Sequence, residues 1–314
     1  MSAEEKMRAV VSRGYGGPEV LETVMVPVPE PGPGQVRIRV EAATVNPVDL
    51  VTRSGALVEA GLMAAREWTG IGWDVAGVVD RLGAGVTAFV PGQRVIGLRD
   101  LLDVSLGAYA EYLVLDATAV APAPPDATAA AAATLPLNGL TALQALDLLG
   151  LVAGDTVLVT GAAGAVGGFA VELAVRRGLR VVAQAGSADE EFVRGLGAEW
   201  VVDRDASDLA SDVRRLVPGG ADGALDTAGH GIRALAAVRT TGAFATVVGG
   251  SAPLPLRGIR VHQQWISADG AALAGLAVMG LTLRVADTLP LERAAEAHDR
   301  LAAGGMRGRL VLVP

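Results

Sequence analysis

Apolar positions in the first third of the chain come in short runs punctuated by glycine and proline. RAVVSRG and VLETVMVPVPEPGPGQVRIRVEAATV read as strands, and Pro27, Pro29, Pro31 and Pro33 mark the turns between them. VRIRVEA alternates apolar and polar residues, which predicts a half-buried strand. GWDVAGVVDRLGAGV, GQRVIGL and GAYAEYLVLD continue the pattern, so residues 1–122 read as a mostly antiparallel β domain. The pattern then changes. APAPPDATAAAAATLPLNGLTALQALDLLG (121–150) opens on a proline-rich boundary and continues as one or two Ala-rich helices interrupted at Pro136. From Asp155 onward, apolar strands (VLVT, RVVAQAG, EWVVD, GALDTAG, AFATVVGG) alternate with helical patterns, the arrangement of a doubly wound parallel sheet. After Pro253 and Pro255 come RVHQQWI, two helical stretches and a last strand, GRLVLV, which read as a return to the first domain. The prediction is an α/β chain: a β-rich domain from 1–122 and 255–314, and a parallel-sheet domain at 123–254.

The densest signal is VLVTGAAGAVGGFA, Val157 to Ala170, a buried strand, a glycine-rich turn and the start of a helix. In the Gly-x-Gly-x-x-Gly fingerprint of dinucleotide-binding (Rossmann) units, one glycine permits the turn, one admits the pyrophosphate and one allows close helix–strand packing. Those positions are Ala162, Gly164 and Gly167, the first relaxed to alanine. The helix opening at Ala165, Val166 and Gly167 offers backbone N–H groups to a diphosphate.

The second strand decides between the two nicotinamide dinucleotides. It ends Gln184, Ala185, Gly186, Ser187, with no acid before Asp189, so nothing repels a 2′-phosphate and NADP(H) is favoured over NAD. Ser187 can donate to a phosphate oxygen, and Arg204 can supply a guanidinium; alternatively Arg204 is a solvated charge beside Asp203 and Asp205. Gly229, Gly249 and Gly250 follow later strands, where small residues let the nicotinamide half approach backbone, or serve simply as turns.

Composition narrows the classes. Of 314 residues, 26 are basic and 34 acidic, a net charge of −8 with no long runs of one sign, which points away from nucleic acid and from a basic membrane patch. There is no cysteine, so disulfides, thiolate chemistry and Cys-rich zinc sites are excluded. MSAEEKMRAVVSRG lacks the apolar stretch of a signal peptide, and a cytoplasmic protein is expected. The uncharged segment Ala127 to Leu146 is long enough to span a bilayer, but its polar residues and Pro136 argue against it.

EPGPGQVRIRVEAATVNPVDLVTRSG, GWDVAGVVDRLGAGVTAFVPGQRVIGL, GAYAEYLVL, LPLNGLTALQAL, VLVTGAAGAVG and PLERAAEAHDRLAAGGMRGRLVLV, in this order, resemble the medium-chain dehydrogenase/reductase superfamily, in its zinc-independent quinone oxidoreductase branch. The resemblance implies a GroES-like catalytic domain beside the Rossmann domain, NADP(H) as cofactor and a homodimer joined along Arg260 to Ile266. It also implies that Asn46 stands where zinc-dependent relatives have a cysteine ligand, and Trp73–Asp74 where they have histidine and glutamate. Neither Asn46 nor Trp73 suits zinc, so no metal is expected.

Without a Lewis acid, the implied chemistry is hydride transfer to an apolar quinone or an α,β-unsaturated carbonyl. Asn46, Asp49, Asn138 and Thr141 are the candidate polar groups at the reacting end, although Asp49 can equally be a structural carboxylate. Relatives often have tyrosine at the position of Val51, which leaves the proton donor unassigned. SGALVEAGLMAAREWTG (54–70) reads as an apolar wall through Leu57, Leu62, Met63 and Trp68, or as an ordinary packed helix. His230, His262 and His298 show no metal spacing. The alternatives are an enoyl-thioester reductase of fatty-acid or polyketide metabolism and a non-catalytic NADP-binding protein.

Overall fold

The computed structural model describes residues 5–314, which divide into two units, residues 5–137 with Ser267–Pro314, and Asn138–Ile266. Among the described residues, the first unit opens with β1 (Lys6–Arg13), β2 (Leu21–Pro27), β3 (Gln35–Thr44), α1 (Pro47–Ser54) and α2 (Ala56–Glu59). It continues through β4 (Trp68–Gly70), β5 (Asp74–Leu82), β6 (Arg94–Leu98), β7 (Tyr112–Asp116), β8 (Val120–Pro122) and α3 (Ala129–Ala133). Next come α4 (Pro136–Leu149), β9 (Thr156–Thr160), α5 (Ala165–Arg176), β10 (Arg180–Ala185), α6 (Glu190–Gly195), β11 (Trp200–Asp203) and α7 (Leu209–Leu216). The second unit ends with β12 (Ala221–Asp226), α8 (Ile232–Ala236), β13 (Val238–Thr246) and β14 (Arg260–Gln263). The chain then re-enters the first unit with α9 (Gly270–Ala277), β15 (Val285–Pro290), α10 (Ala294–Ala303) and β16 (Arg309–Val313).

In the first unit a small sheet, ordered β2-β1-β4, accompanies a larger one ordered β15-β16-β3-β5-β6-β8, with β7 also pairing β3. Pairing is antiparallel except between β15 and β16. Val36, Ile38, Val75, Val95, Tyr109 and Leu310 centre its core. β3 keeps the expected alternation only in part: Arg37, on its polar register, is 5% exposed. That charge is tolerated because Asp80 (2.6 Å) and Glu30 (3.0 Å) hold it and the Tyr112 ring lies 5.4 Å away.

In the second unit the strands are all parallel, in the order β11-β10-β9-β12-β13-β14. This is the Rossmann order, with its switch point between β9 and β12. Leu158, Val182, Ala224 and Phe244 are fully buried in its core.

The division falls later in the chain than the composition suggests. The proline-rich boundary at 122 is not the divide, because α3 packs on β3 and β5, and the Leu137 N–H donates to Asp74 (2.6 Å). RVHQQWI stays with the parallel sheet, since β14 pairs in register with β13 from Arg260↔Ala243 to Gln263↔Thr246. It forms the edge strand of the second unit and does not return to the first. Pro136 sits at the start of α4, where its missing N–H costs nothing. Among the described residues no helix is long and apolar enough to cross a membrane.

Candidate functional site

The nucleotide fingerprint folds as a cradle made of backbone. β9 runs out at Thr160 into Gly161, whose φ of +57° is the left-handed conformation that glycine adopts at no steric cost. The turn glycine is therefore one residue before the position the motif assigns to it. Ala162 has no turn role to perform; it is fully buried and its N–H bonds the Gln184 carbonyl (3.0 Å). Gly164 caps α5 in extended backbone. Gly167 is required by space: a Cβ there would lie 2.2 Å from the Gly161 carbonyl oxygen. That close approach sets the first turn of α5, from Ala165 through Gly167, at the carboxyl edge of the sheet, where helix geometry leaves the leading N–H groups without intrahelical acceptors. A missing Cβ at a helix start on this edge fits a diphosphate.

At the end of β10 the Arg204 N–H donates to the Ala185 carbonyl (2.9 Å). Its guanidinium lies across Gly186, where a Cβ would meet Cζ at 3.5 Å. Arg204 and Ser187 thus flank one residue, and the nearest carboxylate to the guanidinium is Asp205 at 3.7 Å, an exposed pair.

The switch point carries a staple that the sequence reading missed. Asp226, at the end of β12 and fully buried, accepts from the Thr160 hydroxyl (2.6 Å) and from the backbone N–H groups of His230 (3.1 Å) and Gly231 (2.7 Å). Thr227 returns its hydroxyl to the Thr160 carbonyl (2.7 Å). The signal was a polar residue closing each of two apolar strands, VLVT and GALD. Gly229 and Gly250 follow with positive φ, whereas Gly249 has no such requirement.

The first unit holds a different kind of site. Asn46 ends the loop after β3 and precedes α1, and its side-chain amide donates to Asp74 (2.6 Å) and to the Thr44 oxygen (3.1 Å). Asp74 also accepts from the Thr44 hydroxyl and from the Leu137 N–H. Asp49, one helical turn on, accepts the N–H groups of Asn46 (2.8 Å) and Gly72 (3.1 Å) and the Tyr109 hydroxyl (3.2 Å). Tyr109 in turn meets His298 Nε2 at 3.3 Å, their rings edge to face. Asn46, Asp49, Asp74, Tyr109 and His298 are all fully buried. Arg99 and Arg309 are buried nearby, with attraction to Asp49 and, for Arg309, to Asp74.

Burial governs the ionisation here. It pushes Asp49 up to about 7 and Asp74 up to about 6, against the donors that favour their charged forms. It pulls His298 down to about 3, helped by the Arg53 guanidinium, and raises the Tyr109 hydroxyl well above its usual range. Arg99 and Arg309 fall to about 10 and stay cationic at neutral pH.

Asn46 and Asp49 are thus joined through one hydrogen-bond system. Asn138 and Thr141, both buried, begin the part of α4 that belongs to the second unit. Of the residues read as an apolar wall, Leu57 and Met63 are buried, but Leu62 is 46% exposed. Trp68 packs with Met7, Ala9, Val26 and Ala110 in the core of the small sheet, under the Arg13 guanidinium.

The alcohol dehydrogenase GroES-like domain model matches residues 32–125, and the zinc-binding dehydrogenase model matches residues 165–290. Mouse quinone oxidoreductase is 30% identical, covering 99% of this chain and 99% of its own. The chain belongs to the medium-chain dehydrogenase/reductase superfamily. Within the superfamily it falls in the zinc-independent quinone oxidoreductase branch. The quinone-oxidoreductase homolog of spinach chloroplasts is 37% identical over 67% of this chain, a match that spans 64% of the spinach protein's length. Among solved structures, an NAD-dependent alcohol dehydrogenase superposes with a TM-score of 0.87 at 33% identity, covering 98% of this chain and all of the other. A mycobacterial homologue complexed with NADPH superposes at 0.83 and 31%, with the same coverage.

The name of the second family model raises the question of zinc, and the residues here do not fit it. Asn46 commits its amide N–H groups to Asp74 and Thr44, and Trp73 presents only a buried indole, a donor without an acceptor. Among the described residues no group of three or more His, Asp or Glu is placed to hold a metal ion.

Proposed function

We propose that the chain is an NADPH-dependent reductase of apolar quinones or α,β-unsaturated carbonyls that needs no metal Lewis acid. The observation that carries this reading is the fate of the position where zinc-dependent relatives place a cysteine. Asn46 there spends both amide N–H groups inside the protein, on Asp74 and Thr44, and its backbone N–H on Asp49, so the position is polar but offers a metal no ligand. A polar, metal-free end of this kind suits an oxygen already conjugated to the reacting carbon, because such an acceptor needs polarisation rather than ionisation.

Bound NADPH would supply the hydride. The chain's part is to hold the cofactor and exclude water. The N–H groups of Ala165, Val166 and Gly167 take the diphosphate, and Gly229, Gly249 and Gly250 leave room along the carboxyl edge. Ser187 and Arg204, side by side across Gly186, receive the 2′-phosphate as charge-assisted donors. The free edge of β14 pairs with a second copy, giving a homodimer.

The test is NADPH oxidation by the purified protein with quinones, 2-enones and enoyl thioesters, beside dissociation constants for NADPH and NADH. Turnover of quinones or enones with NADPH bound more tightly supports the reading. Turnover confined to enoyl thioesters, tight NADPH binding without turnover, or equal binding of both cofactors overturns it.

A further inference from the structure

Two buried side chains of the first unit each leave nitrogen atoms without a hydrogen-bond partner among the described residues, and those atoms are chemically complementary. His298, fully buried on α10, leaves Nδ1 unpaired. Arg53, on α1 and 8% exposed, leaves Nε and Nη1 unpaired. The two helices pack together, and the guanidinium is near enough to oppose charging of the imidazole. One end is a bank of donors and the other, in the tautomer that donates from Nε2, is a lone acceptor. A water between them would satisfy both, since two or more polar partners are what a buried water requires.

From His298 the contacts continue without a break: Nε2 to the Tyr109 hydroxyl at 3.3 Å, and that hydroxyl to Asp49 Oδ2 at 3.2 Å. We propose that a water held by Arg53 and His298 is the outer end of a proton relay, His298 to Tyr109 to Asp49, that feeds the Asn46 end of the site. The idea rests on the reductase reading, which leaves one proton to be supplied per product.

The transfer balances as follows. His298 Nδ1 takes a proton from solvent through the water, and Nε2 gives its proton to the Tyr109 oxygen. Tyr109 then passes its own proton to Asp49 Oδ2. Asp49 becomes a neutral acid that gives this proton to the reduced product and returns to a carboxylate, His298 is left as the other neutral tautomer, and no net charge is created on either ring. Arg53 serves the relay by keeping His298 neutral, since an imidazolium could not accept the incoming proton. Tyr109 and His298 act through Asp49 and are positioning residues.

The charged groups around the relay are Asp74 on β5, Arg99 after β6 and Arg309 on β16, all about Asp49. At the outer end, Arg53 is in turn faced by Asp299 of α10 and by Glu19.

The relay has a signature that simple packing lacks, because the His298 tautomer must follow the protonation of Asp49. We expect side-chain nitrogen NMR of the full chain, with His298 assigned by His298→Gln, to show a ring that stays neutral from pH 8 to 5. It should exchange Nε2–H for Nδ1–H with the midpoint of the Asp49 carboxyl carbon titration. Tyr109→Phe should abolish the exchange while the fold is retained. In turnover, Tyr109→Phe should lower kcat at least about tenfold, with KM and the NADPH dissociation constant within about twofold. A His298 tautomer that ignores Asp49, or a ring that turns cationic near pH 6, overturns the relay. So does a Tyr109→Phe variant with unchanged kcat. If the wild type reduces no acceptor, the reductase reading fails, and the NMR result alone decides the relay.

Discussion

The two units meet their functional demands by opposite means. In the parallel-sheet unit the site is made by leaving atoms out: Gly161 turns where a side chain would strain, and Gly167 sits where a Cβ would strike the Gly161 carbonyl. Its donors are backbone N–H groups. In the β-rich unit the site is made by putting charge in. Asp49, Asp74, Arg99 and Arg309 share one buried region, two negative against two positive, with Asn46, Tyr109 and His298 completing the hydrogen bonds. The first strategy costs little desolvation and tolerates pH. The second is costly to assemble, and its members titrate where isolated groups do not.

The comparison is broken most severely at Asp74. Asp74→Ala leaves the amide of Asn46, the Thr44 hydroxyl and the Leu137 N–H without their acceptor, together with a buried Arg309 that has lost an opposite charge. The expected loss is about 3–5 kcal/mol, read from denaturant unfolding. Gly167→Ala should cost less, about 1–3 kcal/mol from overpacking, but should weaken NADPH binding at least tenfold because it moves the helix start. Retained NADPH affinity in that variant would remove the cradle from the account.

The pH response sharpens the contrast further. His298 titrates near 3 when folded and near 6.5 when unfolded, so its contribution to stability grows as pH rises across that window. Asp49 and Asp74 go the other way. The folded state binds their protons up to about 7 and about 6, against an ordinary 3.8, so each costs stability as pH rises from about 4 to those values. Above 6.5 only Asp49 still changes. From about pH 4 to 6 the two carboxyls outweigh the one imidazole, so the wild type should lose stability with the slope of one proton, level off to pH 6.5 and lose again to about 7.5, whereas His298→Gln should lose it about twice as steeply between pH 4 and 6, with a limiting slope near 1.4 kcal/mol per pH unit for each proton. Thermal midpoints across pH 4–8 check both curves; a flat profile for His298→Gln contradicts the assignment.

The smallest effect is expected at the exposed end of the cofactor site. Arg204→Ala should weaken NADPH binding roughly three- to tenfold and leave NADH unchanged, since the guanidinium is well solvated. Equal weakening of both cofactors would mean that Arg204 touches something other than the 2′-phosphate.

The same contrast explains what the sequence made legible. A strand–turn–helix unit needs particular residues at particular spacings within one segment, so Gly164 and Gly167 marked it locally. Within it the left-handed turn falls on Gly161, one residue before Ala162, which is fully buried. A buried side-chain network draws on residues far apart in the chain. Asn46 and Asp49 were visible through their motif, yet Tyr109 and His298 are separated by 189 positions and share no spacing rule. His298 in particular looked like any histidine on a helix until the fold brought it to Tyr109. The domain boundary slipped for a related reason, since hydrogen bonds and strand pairing, and not composition, decide where Leu137 and β14 belong.

The most direct test of the central claim is the rate of NADPH oxidation with a 2-enone, measured before and after exhaustive removal of metal by a chelator, with NADH in parallel. The account predicts an unchanged rate after chelation and a clear preference for NADPH. A rate lost on chelation and restored by zinc, or an equal rate with NADH, would contradict it.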